Sequence, residues 1–201
     1  MDMFHGCEGK TLPTGLRWLR EPPTWSFSAG TLEIVPEAKT DFFRPVVGEA
    51  NDNACLLCAV ARGDFTATVD ARAVLVGFGD AAAMTVRSSP ELWAKLCMER
   101  SPRGEISMVS VVTRGTSDDS NSELLTAPEA SLRITRKGSE FALHYRVGQG
   151  AWRFVRSFGM PMPESVMIGV HAQAPFVGGC RATFSRFEIE PRAVADFRSG
   201  E

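Results

Sequence analysis

From Gly63 to Ala71 the chain alternates strictly, setting Phe65, Ala67 and Val69 against Thr66, Thr68 and Asp70. A period of two marks a strand with one buried face. Thr31–Val35 alternates in the same way. Further strand-like runs fall at Ala83–Arg87, Trp93–Glu99, Ser107–Thr113, Ala130–Thr135, Glu140–Arg146, Trp152–Phe158, Val166–His171 and Ala182–Glu190. Several are rich in β-branched or aromatic residues and bounded by Gly, Pro, Asn, Asp or Ser. Turn chemistry separates them at Ser101–Gly104, Arg136–Ser139 and Val147–Gly150. The polar stretch from Arg114 to Asn121 reads as a loop. Helical candidates are confined to a short turn at Pro90–Leu92 and to Ala193–Phe197. About ten short strands without alternating helices predict an all-β fold, a two-sheet antiparallel sandwich or jelly roll. One such domain is expected over residues 13–191. Residues 1–12 and 192–201, which lack a core pattern, are expected to form a flexible N-terminus and a C-terminal tail.

The strongest local pattern is a pair of strands around the turn Ser88–Leu92. Its second strand puts Trp93, Lys95, Cys97 and Glu99 on one face. Pairing Arg87 with Trp93 would set Thr85 opposite Lys95 and Ala81 opposite Glu99, with Asp80 beside the Glu99 end. Lys95 and Glu99 stand roughly 13 Å apart along the strand, as four residues do at the usual rise. That face is the expected floor of a binding groove. The plain alternative is that both charges are matched by neighbours in a partly buried sheet.

Composition narrows the function classes. The 201 residues are 44% hydrophobic and 23% charged, with a net charge of −2. Interspersed charges without a basic run argue against a nucleic-acid partner. No segment approaches the ~20 apolar residues of a membrane span, and Met1–Glu8 lacks the basic and apolar regions of an export signal. The five cysteines have no disulfide-framework spacing and read as reduced thiols. A cytoplasmic protein is expected. Cys55 and Cys58 have CxxC spacing but no second pair and no His partner. On a strand they would point to opposite faces as small apolar fillers. His144 and His171 read as structural histidines, and Asn51–Asn53 and Ser117–Asn121 as turn chemistry. Neither a metal nor a cofactor is called for.

Six blocks, in order, resemble a known family. Arg20-Glu21-Pro22-Pro23-Thr24-Trp25 is similar to its opening Asn-Glu-Pro-Pro-x-Trp. Thr40-Asp41-Phe42-Phe43-Arg44 and Gly63-Asp64-Phe65 follow. Asp80–Arg87 resembles Asp-Gln-Ala-Gly-Leu-x-Val-Arg, with Ala81 and Ala83 in place of Gln and Gly. Trp93-Ala94-Lys95 with Glu99 matches Trp-x-Lys-x-x-x-Glu, and Ser117-Asp118-Asp119-Ser120 resembles Ser-Asp-Trp-Ser without its aromatic. The family is that of the uncharacterised "regulation of enolase" proteins, within the concanavalin A-like lectin/glucanase superfamily. The resemblance implies a jelly roll, often with a concave face, and no established enzymatic activity.

Three functions remain open. The leading one is a non-catalytic module binding a small-molecule or carbohydrate ligand, such as a sugar-derived metabolite. Its groove would be lined by Trp93, Lys95 and Glu99, with Arg87, Asp80, Asp41 and Arg44 nearby. Trp93 would stack on a ring, Lys95 or Arg44 would meet an anionic group, and Glu99 would accept from hydroxyls. The second is a carbohydrate hydrolase or lyase with Glu99 as acid/base, which needs a second carboxylate within reach. The superfamily's glucanase strand Glu-x-Asp-x-Glu is absent; Glu188-Ile189-Glu190 shares only part of its spacing. The third is a regulatory module acting on a protein partner.

Overall fold

A computed structural model describes all 201 residues. The first strands are β1 (Arg17–Arg20), β2 (Thr24–Ser28), β3 (Thr31–Val35), β4 (Phe42–Phe43) and β5 (Asn51–Asp52). Next come β6 (Leu56–Arg62), β7 (Phe65–Val74), β8 (Ala81–Ser89), β9 (Leu92–Arg100), β10 (Ile106–Arg114) and β11 (Thr116–Leu125). The last are β12 (Glu129–Lys137), β13 (Glu140–Arg146), β14 (Arg153–Gly159), β15 (Ser165–Gln173) and β16 (Arg181–Glu190). Two antiparallel seven-stranded sheets result, ordered β1-β6-β15-β8-β9-β10-β11 and β14-β13-β12-β7-β16-β3-β2. They face each other as a jelly-roll sandwich. No helix of the structure is long and apolar enough to cross a membrane.

The main core lies between the sheets and joins 37 buried residues. β7 supplies Phe65, Ala67 and Val69, the face expected from its alternation, while Thr68 and Asp70 turn outward. β8 and β9 differ, because both of their faces are buried. Ala82, Met84, Val86, Ala94, Leu96 and Met98 enter the main core. Ala81, Ala83, Trp93 and Cys97 enter a second cluster of 10 residues on the outer side of the same sheet. The two-stranded β4–β5 ribbon covers that side and drives Phe42 into it. Cys55 and Cys58 divide between the two cores as their spacing implies. Burial pushes the Cys55 thiol up to about 11 and also raises Cys58, which leaves neither thiol reactive near neutral pH.

Close approach fixes one glycine. A Cβ on Gly169 would fall 2.0 Å from the Leu57 carbonyl oxygen and 2.7 Å from the Cys58 Cα. Both obstacles are backbone of the paired strand β6, so neither can swing aside. Gly169→Ala is expected to cost at least the about 1–3 kcal/mol of ordinary overpacking. Urea denaturation checks this, and an unchanged midpoint would refute the tight β6–β15 contact.

Several features depart from the sequence expectations. Arg114–Asn121 belongs mostly to strand β11, an edge strand polar on both faces and therefore without an alternation to read. Ala193–Phe197 is not helical, and Pro90–Leu92 is no helical turn but the tip of the hairpin expected around Ser88–Leu92. Residues 1–12 are docked rather than loose: Phe4 is fully buried against Phe27 and Phe187, and Met3 N–H donates to the Phe187 carbonyl at 2.7 Å. Backbone pairing adds to that aromatic: Gly9 and Phe27 exchange N–H···O=C bonds at 2.9 and 2.7 Å. The tail also packs on the sandwich, with Gly200 buried and the Phe197 carbonyl accepting from His144 Nε2 at 2.7 Å.

Edge strands of the two sheets meet along one side. Arg156 of β14 reaches Asp118 of β11 at 3.0 Å, and Arg153 reaches Glu123 at 2.6 Å. Glu123 also accepts from the Tyr145 hydroxyl at 2.7 Å, and Arg114 donates to the Gly159 carbonyl at 2.7 Å. With Arg114 on β10 and Tyr145 on β13, these contacts clasp the β10–β11 edge to β13 and β14, the ion pairs joining β11 to β14.

Candidate functional site

The hairpin register follows the sequence reading: Arg87 pairs with Trp93, Thr85 with Lys95, and Ala81 with Glu99. Lys95 then lies opposite Val111 of β10, and Val111 opposite Asp119 of β11. Lys95 and Asp119 thus share the outer face of the first sheet. There a cleft of about 280 Å³ opens. Its floor includes Lys95, Glu99, Val109, Val111, Asp119 and Gln173, and the ribbon contributes Asp41, Phe43 and Asn51. Two loops complete it with Phe78, Gly79, Pro175 and Phe176. Phe78 and Phe176 stack at 5.3 Å with 15° between ring planes while remaining 47% and 58% exposed. Exposed stacked aromatics at a polar cleft are an apolar wall on which a ring can rest.

A buried polar chain holds the floor. Lys95 Nζ donates to Asp41 Oδ1 at 3.0 Å and to Gln173 Oε1 at 2.7 Å. Its side chain is 2% exposed. An ammonium only donates, so Gln173 must face it with oxygen. The amide nitrogen then donates to the Gly79 carbonyl at 2.9 Å. The same oxygen lies 3.2 Å from His171 Nε2, which therefore carries the imidazole proton. His171 Nδ1 is left to accept from the Thr85 hydroxyl at 2.9 Å. Burial, then the Lys95 charge, pull the His171 pKa down to about 3, so the ring stays neutral. For Lys95 burial opposes the charge, but Asp41 and the other negative groups outweigh it and raise its pKa.

Glu99 is the least satisfied member. Its carboxylate makes no hydrogen bond within the chain, while its backbone is paired in the sheet. Burial raises its carboxyl to about 7; Lys95 counteracts this, and Asp41 and Asp119 add to it. Near neutral pH it therefore exchanges a proton readily and can either donate or accept a hydrogen bond.

The structure sorts the expected site residues. Lys95, Glu99 and Asp41 converge on the cleft. Trp93 does not: it is 0% exposed, packed against Phe42 at 6.0 Å, with its indole N–H given to the Pro90 carbonyl at 3.1 Å. The ribbon seals the ring, so Trp93 is a core residue and not a stacking platform. Arg87 is likewise buried under the ribbon, where Asp52 takes both its Nη groups at 2.7 and 2.9 Å. Asp80 is fully buried, and its Oδ2 accepts from the Val76 and Gly77 N–H groups at 2.8 Å each. It closes a loop rather than facing a ligand. Arg44 points to the far end of the ribbon, donating to the Gly115 carbonyl at 2.8 Å and to Glu91 at 3.2 Å. His144 and His171 sit in opposite sheets and do not meet. The sequence reading missed Gln173, Asp119, Phe78 and Phe176 as cleft residues. A signal existed for Gln173, a polar face-mate two residues after His171 on an otherwise apolar strand.

Fold and cleft together define a jelly-roll sandwich with a half-covered polar cleft on one outer face. The chain belongs to a family described as "Protein of unknown function (DUF1349)", whose model matches residues 18–192. It is 28% identical over 174 residues to a Saccharomyces cerevisiae protein called "Regulation of enolase protein 1", covering 86% of this chain and 87% of that one. A solved structure of a functionally unknown Saccharomyces cerevisiae protein superposes with a TM-score of 0.83 at 27% identity, covering 88% and 96% of the two chains. A GH43 protein from Bacillus licheniformis shares the sandwich at a TM-score of 0.76 and 16% identity, over 94% of this chain and 38% of its own. That last likeness is one of fold.

Proposed function

We propose that the cleft binds a small polyhydroxylated ligand, a carbohydrate or sugar-derived metabolite, without transforming it. The observation that carries this reading is the grouping of Glu99, Asp119, Asp41, Lys95 and Gln173 beside the exposed Phe78–Phe176 stack. Sugars need that combination of planar acceptors and donors for hydroxyls and an apolar wall for the ring face. At about 280 Å³ the cleft lies at the small end of ligand sites, which suits a short ligand better than a polymer. Lys95 spends two of its three protons on Asp41 and Gln173 and keeps one for a ligand oxygen. Asp119 is exposed and free to accept from hydroxyls.

A thermal-shift panel of mono- and oligosaccharides and sugar phosphates tests this. A ligand at 100 times its Kd stabilises by about 2.7 kcal/mol, which moves the Tm by several degrees. The expected result is a hit weakened at least tenfold by Asp119→Asn or Phe176→Ala. A flat panel, or a hit indifferent to both variants, would overturn the reading.

One observation favours a second reading, a carbohydrate hydrolase or lyase. Glu99 has the raised pKa of a general acid, with carboxylates of Asp41 and Asp119 lining the same cleft. Turnover of a bound saccharide, lost in Glu99→Gln while binding persists, would establish it in place of the non-catalytic one.

A further inference from the structure

The outer face of the second sheet carries two arginines that stack on one tryptophan and stand outside the ion pairs of the fold. Arg133 of β12 lies opposite His144, and Arg146 of β13 opposite Ser131. Trp152, in the connection to β14, packs against both arginines, with guanidinium carbons 3.6 Å and 4.6 Å from its ring centroid. Stacking orients the two guanidiniums but does not neutralise them. Neither forms an ion pair. Of the carboxylates nearby, Asp70 pairs with Arg186 and Glu190 with Arg192, Glu190 still favouring the Arg133 charge, while Asp196 of the tail acts on the neighbouring His144. Arg133 gives one Nη1 proton to the Gly200 carbonyl at 2.5 Å, and Arg146 makes no hydrogen bond. The Nε of each is buried and has no acceptor.

Two like charges on one ring, each with a sealed donor, are an expensive arrangement without an anion. Burial and the Arg146 charge together pull Arg133 down to about 10. The segment over this cluster is tightly fitted. A Cβ on Gly200, whose φ is +77°, would stand 3.1 Å from His144 Cδ2 and 3.1 Å from Trp152 Cβ. Arg198 packs over Phe154 at 4.6 Å, and the Phe197 carbonyl is held by His144. A separate polar depression of about 370 Å³, which includes Asp70, Glu129, Ser131 and Arg186 but neither Arg133 nor Arg146, opens elsewhere on this sheet. Arg186 occupies a bulge at φ +52°, a conformation that a non-glycine residue adopts at a cost and that bulges use to re-aim a side chain.

We propose that Arg133 and Arg146, braced on Trp152, form a site for a compact oxyanion of the phosphate type, with residues 196–201 as its cover. A tetrahedral oxyanion would accept from N–H groups of the two guanidiniums and relieve the repulsion between them, as paired arginines do for phosphates. This site lies on the opposite sheet from the Glu99 cleft and does not depend on it.

Inorganic phosphate is the probe, titrated into the full chain at fixed ionic strength with chloride as the control. Isothermal calorimetry reports affinity, and the part of the tryptophan fluorescence lost in Trp152→Phe, Trp152 being one of four tryptophans, reports the Trp152 environment. The expected result is saturable phosphate binding that Arg146→Gln weakens at least tenfold with an unchanged circular dichroism spectrum. Arg146→Lys should restore part of it, and Arg62→Gln, at an exposed pair with Glu164 outside both sites, should leave it unchanged. Gly200→Val, which dislodges the cover, should tighten phosphate binding severalfold; an unchanged affinity would remove residues 196–201 from the site. Absence of saturable binding, or equal binding by wild type and Arg146→Gln, would overturn the proposal.

Discussion

Lys95→Met will destabilise the protein by about 3–5 kcal/mol, the usual effect of removing one partner of a buried ion pair. The ammonium is 2% exposed and its partner Asp41 15%. Methionine fills the volume but leaves the Asp41 carboxylate half-buried without its cation. It also strips Gln173 Oε1 of the shorter of its two hydrogen bonds. The loss is mainly that of stranded acceptors, so Lys95→Met with Asp41→Asn should cost less than the sum of the single changes. Guanidinium denaturation at pH 7 measures all three variants. A Lys95→Met protein within 1 kcal/mol of wild type, on the order of a surface pair, would show that the buried chain does not hold the fold.

Glu99→Gln will act in the opposite direction, and only above acid pH. In the folded chain burial holds the carboxyl at about 7, against 4.5 for a free side chain. Between those values the folded protein keeps a proton that the unfolded chain has released. Stability therefore falls as pH rises through this window and levels off above about 7. The full loss is on the order of 3 kcal/mol. Glutamine carries no such penalty. The variant should match wild type near pH 4 and exceed it by about 2–3 kcal/mol at pH 8. Thermal unfolding from pH 4 to 8 traces the divergence, and parallel curves would refute the shifted carboxyl. Such a cost at neutral pH is what a site held ready for a ligand carries in its absence.

The strand pairing of the hairpin was legible because alternation and a short turn set it. Arg87–Trp93, Thr85–Lys95 and Ala81–Glu99 all follow from residue types between Asp80 and Glu99. The face shared by Trp93, Lys95 and Glu99 was legible for the same reason. Which part of that face stays open was not, since it depends on Phe42, more than fifty residues before Trp93, folding over the ring. Periodicity describes one strand at a time and is silent about what covers it. β11 escaped for the converse reason: with polar residues on both faces it has no period, and only pairing with β10 reveals it. Phe78 and Phe176 lie in loops, where no pattern relates them until the sheets bring their loops together.

The clasp between β11 and β14 has a bearing on encounters with other chains. An edge strand offers a row of unpaired N–H and C=O groups to any extended segment that approaches. Here the exposed edge of the first sheet runs through Asp118, Asp119, Glu123 and their hydroxyl and amide neighbours, charged and hydrated along its length. The arginines of β14 bind it to the facing sheet, so it cannot swing outward to accept a visiting strand. One edge of each sheet gains protection from one set of side chains, and the same residues that hide β11 from sequence periodicity keep this side of the sandwich from extending into a continuous sheet with its neighbours.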